Sequence, residues 1–552
     1  MGEFHFSPRP NRAAEIQWRP WSAEAFDEAK AQDKPILLSI SAVWCHWCHV
    51  MDETTYSADG VIDLVNQEYV PVRVDNDVRP DVNQRYNMGG WPTTAFLTPQ
   101  GDILTGFTYV PPEQMTDALA KVASFYRTNK PEIVARVLEG RRRAATTVAA
   151  SAGQLEPGVV DRLLGNVETA YDREHGGFGT APKFPQTDAI ALLAEQSVLR
   201  AEPALMDMAR HTLEKMAGGG TYDHVEGGFF RYSTTADWSV PHFEKMLEDH
   251  GGLLAALAMT GQVEILDDAA RYLDTVLRDP ETGLYAGSQD ADEEYFELDG
   301  HGRHERTAPY VDRRVYAAWN CGLAIAYLDA DVRLGRPALR ERAGTLLDRL
   351  FADRWTPDGG LRHTDDRGGQ LGDQVWGLWA AVRAAGALGG PWRARALALA
   401  AHLEAAYADA ELGGYFDHAG GETLGRLEER IKPLGENAVA AIALTELDAL
   451  VGDPALELRD RARRTLASVA ALPRRYGIMA AVYARALDRV LREPVKLTTL
   501  DPELPRALLG AYPYAVIERA GDERGVLCVG TTCLPPTASA EELVAAVAAP
   551  RA

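Results

Sequence analysis

Nowhere in these 552 residues do eighteen apolar side chains run together, so a membrane-spanning helix is not expected. The opening stretch, MGEFHFSPRPNR, has no apolar h-region and no Ser or Thr at its sixth position. That pattern predicts neither a secretory leader nor N-myristoylation. Basic residues are the minority: 57 Lys and Arg against 80 Asp and Glu leave a net charge of −23. Nucleic acids and anionic membranes are bound through basic surfaces, so neither is an expected partner. Five cysteines are too few to staple a chain of this length. They are read one by one, as residues of a reducing, cytoplasmic setting. What is present, 46% hydrophobic and 25% charged residues, fits a globular chain long enough for two or more domains.

The first ~130 residues alternate strand and helix signals. KPILLSISAV (34–43) is a continuous apolar run of strand length, the pattern of a strand buried on both faces. A helix is predicted from about Cys45 to Thr55, strands over 68–75, 91–101 and 101–110, and an amphipathic helix over 111–129 with proline at its start. From about residue 155 the period becomes helical, and twelve candidate helices can be placed between 157 and 492. Long connections carrying a glycine phrase (REHGGFG, VEGGFFRY, ETGLYAG, PDGGLRH, ELGGYFDH) alternate with short ones. A repeat of roughly 55 residues, each a helical hairpin, predicts an (α/α)6 barrel whose long loops emerge at one end. The expected division is 1–135 for the α/β domain, 150–495 for the all-α barrel and 496–552 for a small α/β extension packed on the barrel's side.

The segment WCHWCHVM (44–51) places Cys45 and Cys48 after a buried strand and at the start of a helix. Thiolate is favoured at a helix N-terminus, so Cys45 is the candidate attacking thiol and Cys48 the resolving one. His46, when protonated, would further stabilise that thiolate, and Trp44 and Trp47 would line an apolar rim. The competing readings are a metal clip of Cys45, His46, Cys48 and His49, and an inert relic. Residues 34–51 together with GGWPTTAFLTPQG (89–101) resemble thioredoxin. That resemblance implies a cis peptide before Pro92 beside the dithiol. It also puts Ser39 where thioredoxin carries a buried aspartate, so the usual proton acceptor for the resolving cysteine is missing.

Further phrases widen the resemblance: VRVDNDVRPDVNQRY (72–86), APKFPQ (181–186), GTYDHVEGGFFRY (220–232), DWSVPHFEKML (237–247), SQDADEE (288–294) and AAWN (317–320). Together with CHWCHVM they look like the spermatogenesis-associated, thioredoxin-domain-containing family. Its members join a thioredoxin-like domain to a six-hairpin barrel similar to glycosidases and N-acylglucosamine 2-epimerases. Three departures from the family pattern matter: its N-terminal region is shortened to SPRPNRAAEIQWRPW (7–21), Gln289 replaces an acid, and Glu248 replaces an aromatic. The resemblance also implies a C-terminal cysteine pair, Cys528 and Cys533, which would exchange with Cys45 and Cys48 if the tail folds back.

On the barrel's loop face, Tyr222, Asp223, His224, Arg231, Tyr232, Trp238, His242, Glu244, Asp290, Asp292, Trp319, Asn320, Asp373 and Glu436 are candidate pocket residues. Aromatic, histidine and carboxylate groups together suit a sugar-like ligand. Hydrolase roles would fall to Asp290, Asp292, Glu244 and Asp373, and epimerase roles to His242 with His224 or His418. The plain alternative is that these Asp and Gly residues only shape turns. The first choice of function is thiol–disulfide exchange with a protein client, with no cofactor called for. A carbohydrate-active barrel and a non-catalytic scaffold are the alternatives.

Overall fold

The computed structural model describes residues 4–149, 151–421 and 423–548. Two compact units emerge. The first comprises residues 1–150 with two short later segments, Asp290–Asp292 and His418–Ile431; the second comprises the rest.

In the first unit the apolar run becomes β1 (Ile36–Ser41), every residue of it buried. Helix α1 (Ala23–Gln32) precedes it. Helices α2 (His46–Glu53) and α3 (Asp59–Glu68) cross over to β2 (Val70–Asp75). Helix α4 (Pro80–Tyr86), strands β3 (Thr93–Leu97) and β4 (Ile103–Phe107), and helices α5 (Pro112–Thr128) and α6 (Lys130–Ala149) follow. The sheet order is β2-β1-β3-β4, with β1 and β2 parallel and the remaining pairs antiparallel. Alternation along β1 divides its side chains between the faces. Ile36, Leu38 and Ile40 enter a core with Trp21, Phe26 and Val72, whereas Leu37 packs with Met51, Tyr56 and Phe96. Cover on both faces is why the strand reads as unbroken apolar sequence. Leu427, from the second of the later segments, is buried in the first of these cores. Its neighbours are held there by Arg85, whose guanidinium donates to the carbonyls of Arg426 and Glu429 at 3.1 and 2.7 Å.

The second unit is the barrel. Six inner helices, 187–200, 247–260, 317–334, 371–388, 434–451 and 481–491, each pack against the next, and the last packs against the first. Helices 158–170, 203–218, 263–272, 337–354, 392–406 and 458–467 pack outside them. The ring is therefore closed, and all the inner helices begin at the long-loop end. A buried ion pair stitches the seam: Glu195 on the first inner helix accepts from Arg485 at 3.0 Å and Arg489 at 2.7 Å on the last. Burial raises the Glu195 carboxyl, but the two guanidinium charges outweigh it and hold the group down at about 2.

The glycine phrases are turns locked by side chains. In four loops an aspartate (Asp172, Asp223, Asp279, Asp409) donates its N–H to the carbonyl five residues on. Its own carbonyl accepts from a glycine four residues on. Those glycines, Gly176, Gly227, Gly283 and Gly413, all have positive φ, the region that glycine adopts without penalty. A buried lysine then bridges the aspartate carboxylate and the turn: Lys245 donates to Asp223 at 2.7 Å and to the Gly227 carbonyl at 2.8 Å, and Lys432 does the same for Asp409 and Gly413. Inner-helix amides clamp the chain beyond the turn. Asn320 pairs with both backbone groups of Tyr285, Gln374 with those of Leu361, and Asn437 with those of Tyr415.

The extension after the barrel is a four-stranded sheet with two helices. Strands 495–498, 516–518, 526–529 and 532–533 form one sheet, with helix 503–511 crossing between the first two and helix 540–548 closing the module. The spatial order is second, first, third, fourth; the first pair is parallel and the others antiparallel. These are the order and directions of the N-terminal sheet. The module does not lie on the barrel's side, as expected, but across the C-terminal ends of inner helices. The Arg519 N–H donates to the Gly386 carbonyl at 2.8 Å, and Lys496 reaches the Leu450 carbonyl at 3.5 Å. That end is opposite the long loops.

Candidate functional site

The chain leaves β1 through Ala42, Val43 and Trp44, and Cys45 becomes the N-cap of α2. Its Sγ accepts the Cys48 N–H at 3.2 Å, and its carbonyl accepts the N–H groups of Cys48 and His49 at 3.0 and 3.1 Å. The two cysteines are joined as a disulfide, with 4% and 2% of their surface exposed. No acidic residue stands in the first turn of α2, so the positive end of the helix dipole acts on Cys45 unopposed from within the helix. The Trp91–Pro92 peptide is cis, as the thioredoxin resemblance implied. Its loop is fixed by Asn87, which accepts from the N–H groups of Gly89 and Gly90, and by the Thr93 hydroxyl, which donates to the Gly90 carbonyl.

The two tryptophans divide their roles. Trp47 is 46% exposed and packs on Tyr109, so it forms a rim; the ring of His46 sets its edge against it. Trp44, expected on that rim, is buried instead: its indole N–H donates to Asp77 at 2.7 Å and its ring packs against Trp91.

Ser39 is buried in β1, opposite Arg73 of β2. The charge beneath the dithiol is a feature that motif reading missed. Arg73 forms a two-pronged ion pair with Asp52 of α2, both distances 2.9 Å, and lies over Phe6 and Trp18. Partners 21 residues apart leave no spacing signal; only the buried charged position within VPVRVD hinted at it. Asp52 is fully engaged, because it also accepts the Ser7 N–H, and so does not substitute for a lone buried acid. His49 is buried too. Loss of water, then the charges of His5, His46 and Arg73, push its imidazole down to about 3, so it is neutral at pH 7. Asp290 approaches its Nδ1 at 3.7 Å, too far for a hydrogen bond. Among the described residues no three His, Cys, Asp or Glu side chains are grouped to hold a metal.

The barrel candidates scatter. Asp290 and Asp292 fall in the first unit rather than on the barrel face. Asp223 is a turn lock held by Lys245 and Arg303. Tyr222 bonds Asp268 of outer helix 263–272, and His224 is exposed with Nε2 at 3.0 Å from the Gly219 carbonyl. Trp238 is wholly buried in the wall, donating to the His175 carbonyl. Asn320 is a backbone clamp, and Trp319 packs half-buried on Tyr316. Asp373 is spent on a helix cap and on His363, with contacts to the Gln370 N–H, the Ala318 N–H and the imidazole. It does not remain available as a hydrolytic acid.

What remains together is a smaller cluster. His242 Nδ1 lies 2.7 Å from Glu244, whose other oxygen is 3.9 Å from Arg231. The His242 ring stacks on Tyr232, and Tyr232 on Phe184. Burial works against the imidazolium, but the Glu244 hydrogen bond and charge prevail and raise it. Next to it, Glu248 and Asp249 open inner helix 247–260, and Glu436 stands at the start of the inner helix three places round the ring. Enclosure by protein raises all three carboxyls, Asp249 to about 7; Asp417 and Glu248 add to the effect on Glu436. Glu248 is nonetheless exposed to water.

A thioredoxin-like unit bearing a cysteine pair at a helix start, followed by a closed ring of six helical hairpins, is the class of protein these features define. Residues 9–142 match the family Thioredox_DsbH, described as a protein of unknown function (DUF255). Over 311 residues the chain is 36% identical to spermatogenesis-associated protein 20 of Homo sapiens and 33% identical to the uncharacterized protein B0495.5 of Caenorhabditis elegans. Each match covers 50% of this chain but only 39% and 41% of those proteins. The resemblance read from the motifs is borne out. Solved structures similar to the chain include a D-mannose isomerase (12% identity, TM-score 0.48, covering 61% of this chain and 98% of that one) and the cellobiose 2-epimerase of Spirochaeta thermophila DSM 6192 (19%, TM-score 0.48, 63% and 96%).

Proposed function

We propose that the protein exchanges disulfides with an extended segment of a client protein at Cys45. In the reduced form the Cys45 thiolate attacks a client disulfide, giving a mixed disulfide and releasing one client thiol. Cys48 then attacks Cys45 Sγ, releasing the second client thiol and leaving the Cys45–Cys48 disulfide; the oxidised form runs the sequence in reverse. The observation that carries this reading is the N-cap geometry of Cys45, whose sulfur already accepts the Cys48 N–H. Trp47 and the cis Trp91–Pro92 loop supply the apolar and backbone surfaces a client strand needs. With Ser39 in place of an acid and Asp52 paired, Cys48 has no dedicated base, so resolution is the slow step. Capture of the mixed disulfide is the test.

A second reading is favoured by the His242–Glu244 pair: the barrel mouth takes a polar, hydroxyl-rich ligand such as a sugar, with His242 and the raised carboxyls as proton-handling groups. In a thermal-shift screen of sugars and sugar phosphates, at least one compound should stabilise the protein, and His242→Ala should abolish that shift. A ligand response that survives the substitution would sink the assignment.

A further inference from the structure

The C-terminal module repeats the strand order and directions of the N-terminal sheet, yet its chemistry is placed elsewhere. Its strand-to-helix turn, Thr499-Leu500-Asp501-Pro502, holds no cysteine. Instead Cys528 and Cys533 face each other directly across the last hairpin and are joined as a disulfide. Cys533 lies on the two-residue edge strand and is exposed; Cys528, one strand in, is half-buried. On its other side Cys528 is directly opposite Lys496. Residues directly opposite across antiparallel strands project from the same face with Cβ atoms about 5 Å apart. Lys496, Cys528 and Cys533 therefore form a row of residues on one face, with the exposed sulfur at the end away from Lys496. In the oxidised form the Lys496 ammonium rests on Glu518 of the other neighbouring strand at 3.3 Å and near the Leu450 carbonyl at 3.5 Å.

We propose that Cys528–Cys533 is a second thiol–disulfide centre, reduced by an external protein dithiol. A thiolate of that dithiol attacks the exposed Sγ of Cys533. The S–S bond breaks, and Cys528 leaves as a thiolate on the strand next to Lys496, whose ammonium turns from Glu518 toward the new charge and stabilises the leaving group before it takes up a proton. The second thiol of the donor then attacks its own sulfur in the mixed disulfide and releases Cys533. Two electrons and two protons pass to the pair, and the donor departs as a disulfide. This centre is independent of the exchange assigned to Cys45.

The test uses the oxidised full-length protein with reduced thioredoxin as the probe, quenched at intervals with an alkylating agent. Each cysteine pair is read by mass in its own tryptic peptide. Cys528 and Cys533 should become labelled within minutes under native conditions. Lys496→Gln should slow that labelling by about threefold to tenfold, and Lys496→Arg should restore it, because a weaker leaving group slows exchange. The Cys45–Cys48 peptide in the same samples should keep its own time course, so failure at one centre is separable from failure at the other. If the hairpin pair is labelled only after denaturation, or if Lys496→Gln leaves its rate unchanged, the proposal is overturned and the bond is a staple.

Discussion

Cys48→Ser should convert a transient encounter into a covalent adduct that survives non-reducing electrophoresis and disappears with dithiothreitol. Without Cys48 nothing attacks Cys45 Sγ from within the site, and the mixed disulfide waits for an outside thiol. The wild-type protein should itself show a faint adduct. Ser39 brings no carboxyl beneath Cys48, and the nearby acid of α2, Asp52, is committed to Arg73 at 2.9 Å on both oxygens. Cys45→Ser should leave no adduct in the peptide that holds residues 45 and 48, and Cys45→Ser/Cys48→Ser none there either. Adducts carried by Cys48 in Cys45→Ser, read in the peptide that holds residues 45 and 48, would remove Cys45 from the attacking role.

The second large effect concerns the barrel's closure. Glu195→Gln removes the charge that joins the first and last inner helices and leaves Arg485 and Arg489 side by side in a buried seam. Removing one partner of a buried ion pair costs about 3–5 kcal/mol, because the remaining charge is left uncompensated. The loss should appear as a lower urea midpoint for the helical far-ultraviolet signal, while the Cys45–Cys48 pair keeps its reactivity. Asp188, which also pairs with Arg485, softens the loss slightly. A change within about 0.5 kcal/mol, the range of ordinary surface substitutions, would mean that apolar packing alone closes the ring.

Much of this architecture is legible in the sequence because it rests on periodicity. An unbroken apolar run bounded by a Cys-x-x-Cys helix start can only be a strand covered on both faces, and β1 is that. Twelve helical segments with alternating loop lengths imply a ring, since one hairpin cannot bury both its faces alone. Side-chain roles were less legible. Asp223 and Asn320 carry chemistry-bearing groups in loops and at helix starts, so they read as site residues. Their geometry instead satisfies the backbone of tight turns, a demand that every one of these hairpins makes. Trp238 looked like a sugar platform and is a wall residue. Asp290 illustrates a different difficulty: its neighbours in sequence belong to the barrel, whereas the residue itself lies with the first unit, beside His49. The separate strands of the C-terminal sheet are hard to read from sequence. Its opening strand is four residues long and follows a helix almost directly, which leaves too short a pattern to recognise.

The Arg73–Asp52 pair has the same origin. Each residue taken singly is an unremarkable charge, and only the fold shows that both are buried.

On the proposed function, Cys45 is a thiolate nucleophile made so by the start of α2. This role is tested most directly by the pH dependence of Cys45 alkylation in the reduced protein, followed by peptide mass with a slow haloacetamide. The midpoint should fall below about 7.5, a unit or more under an ordinary cysteine. Replacing His46 with Ala should raise it only in part, because the helix contribution remains. A midpoint at or above about 8.5, the value of a free thiol, would contradict that role.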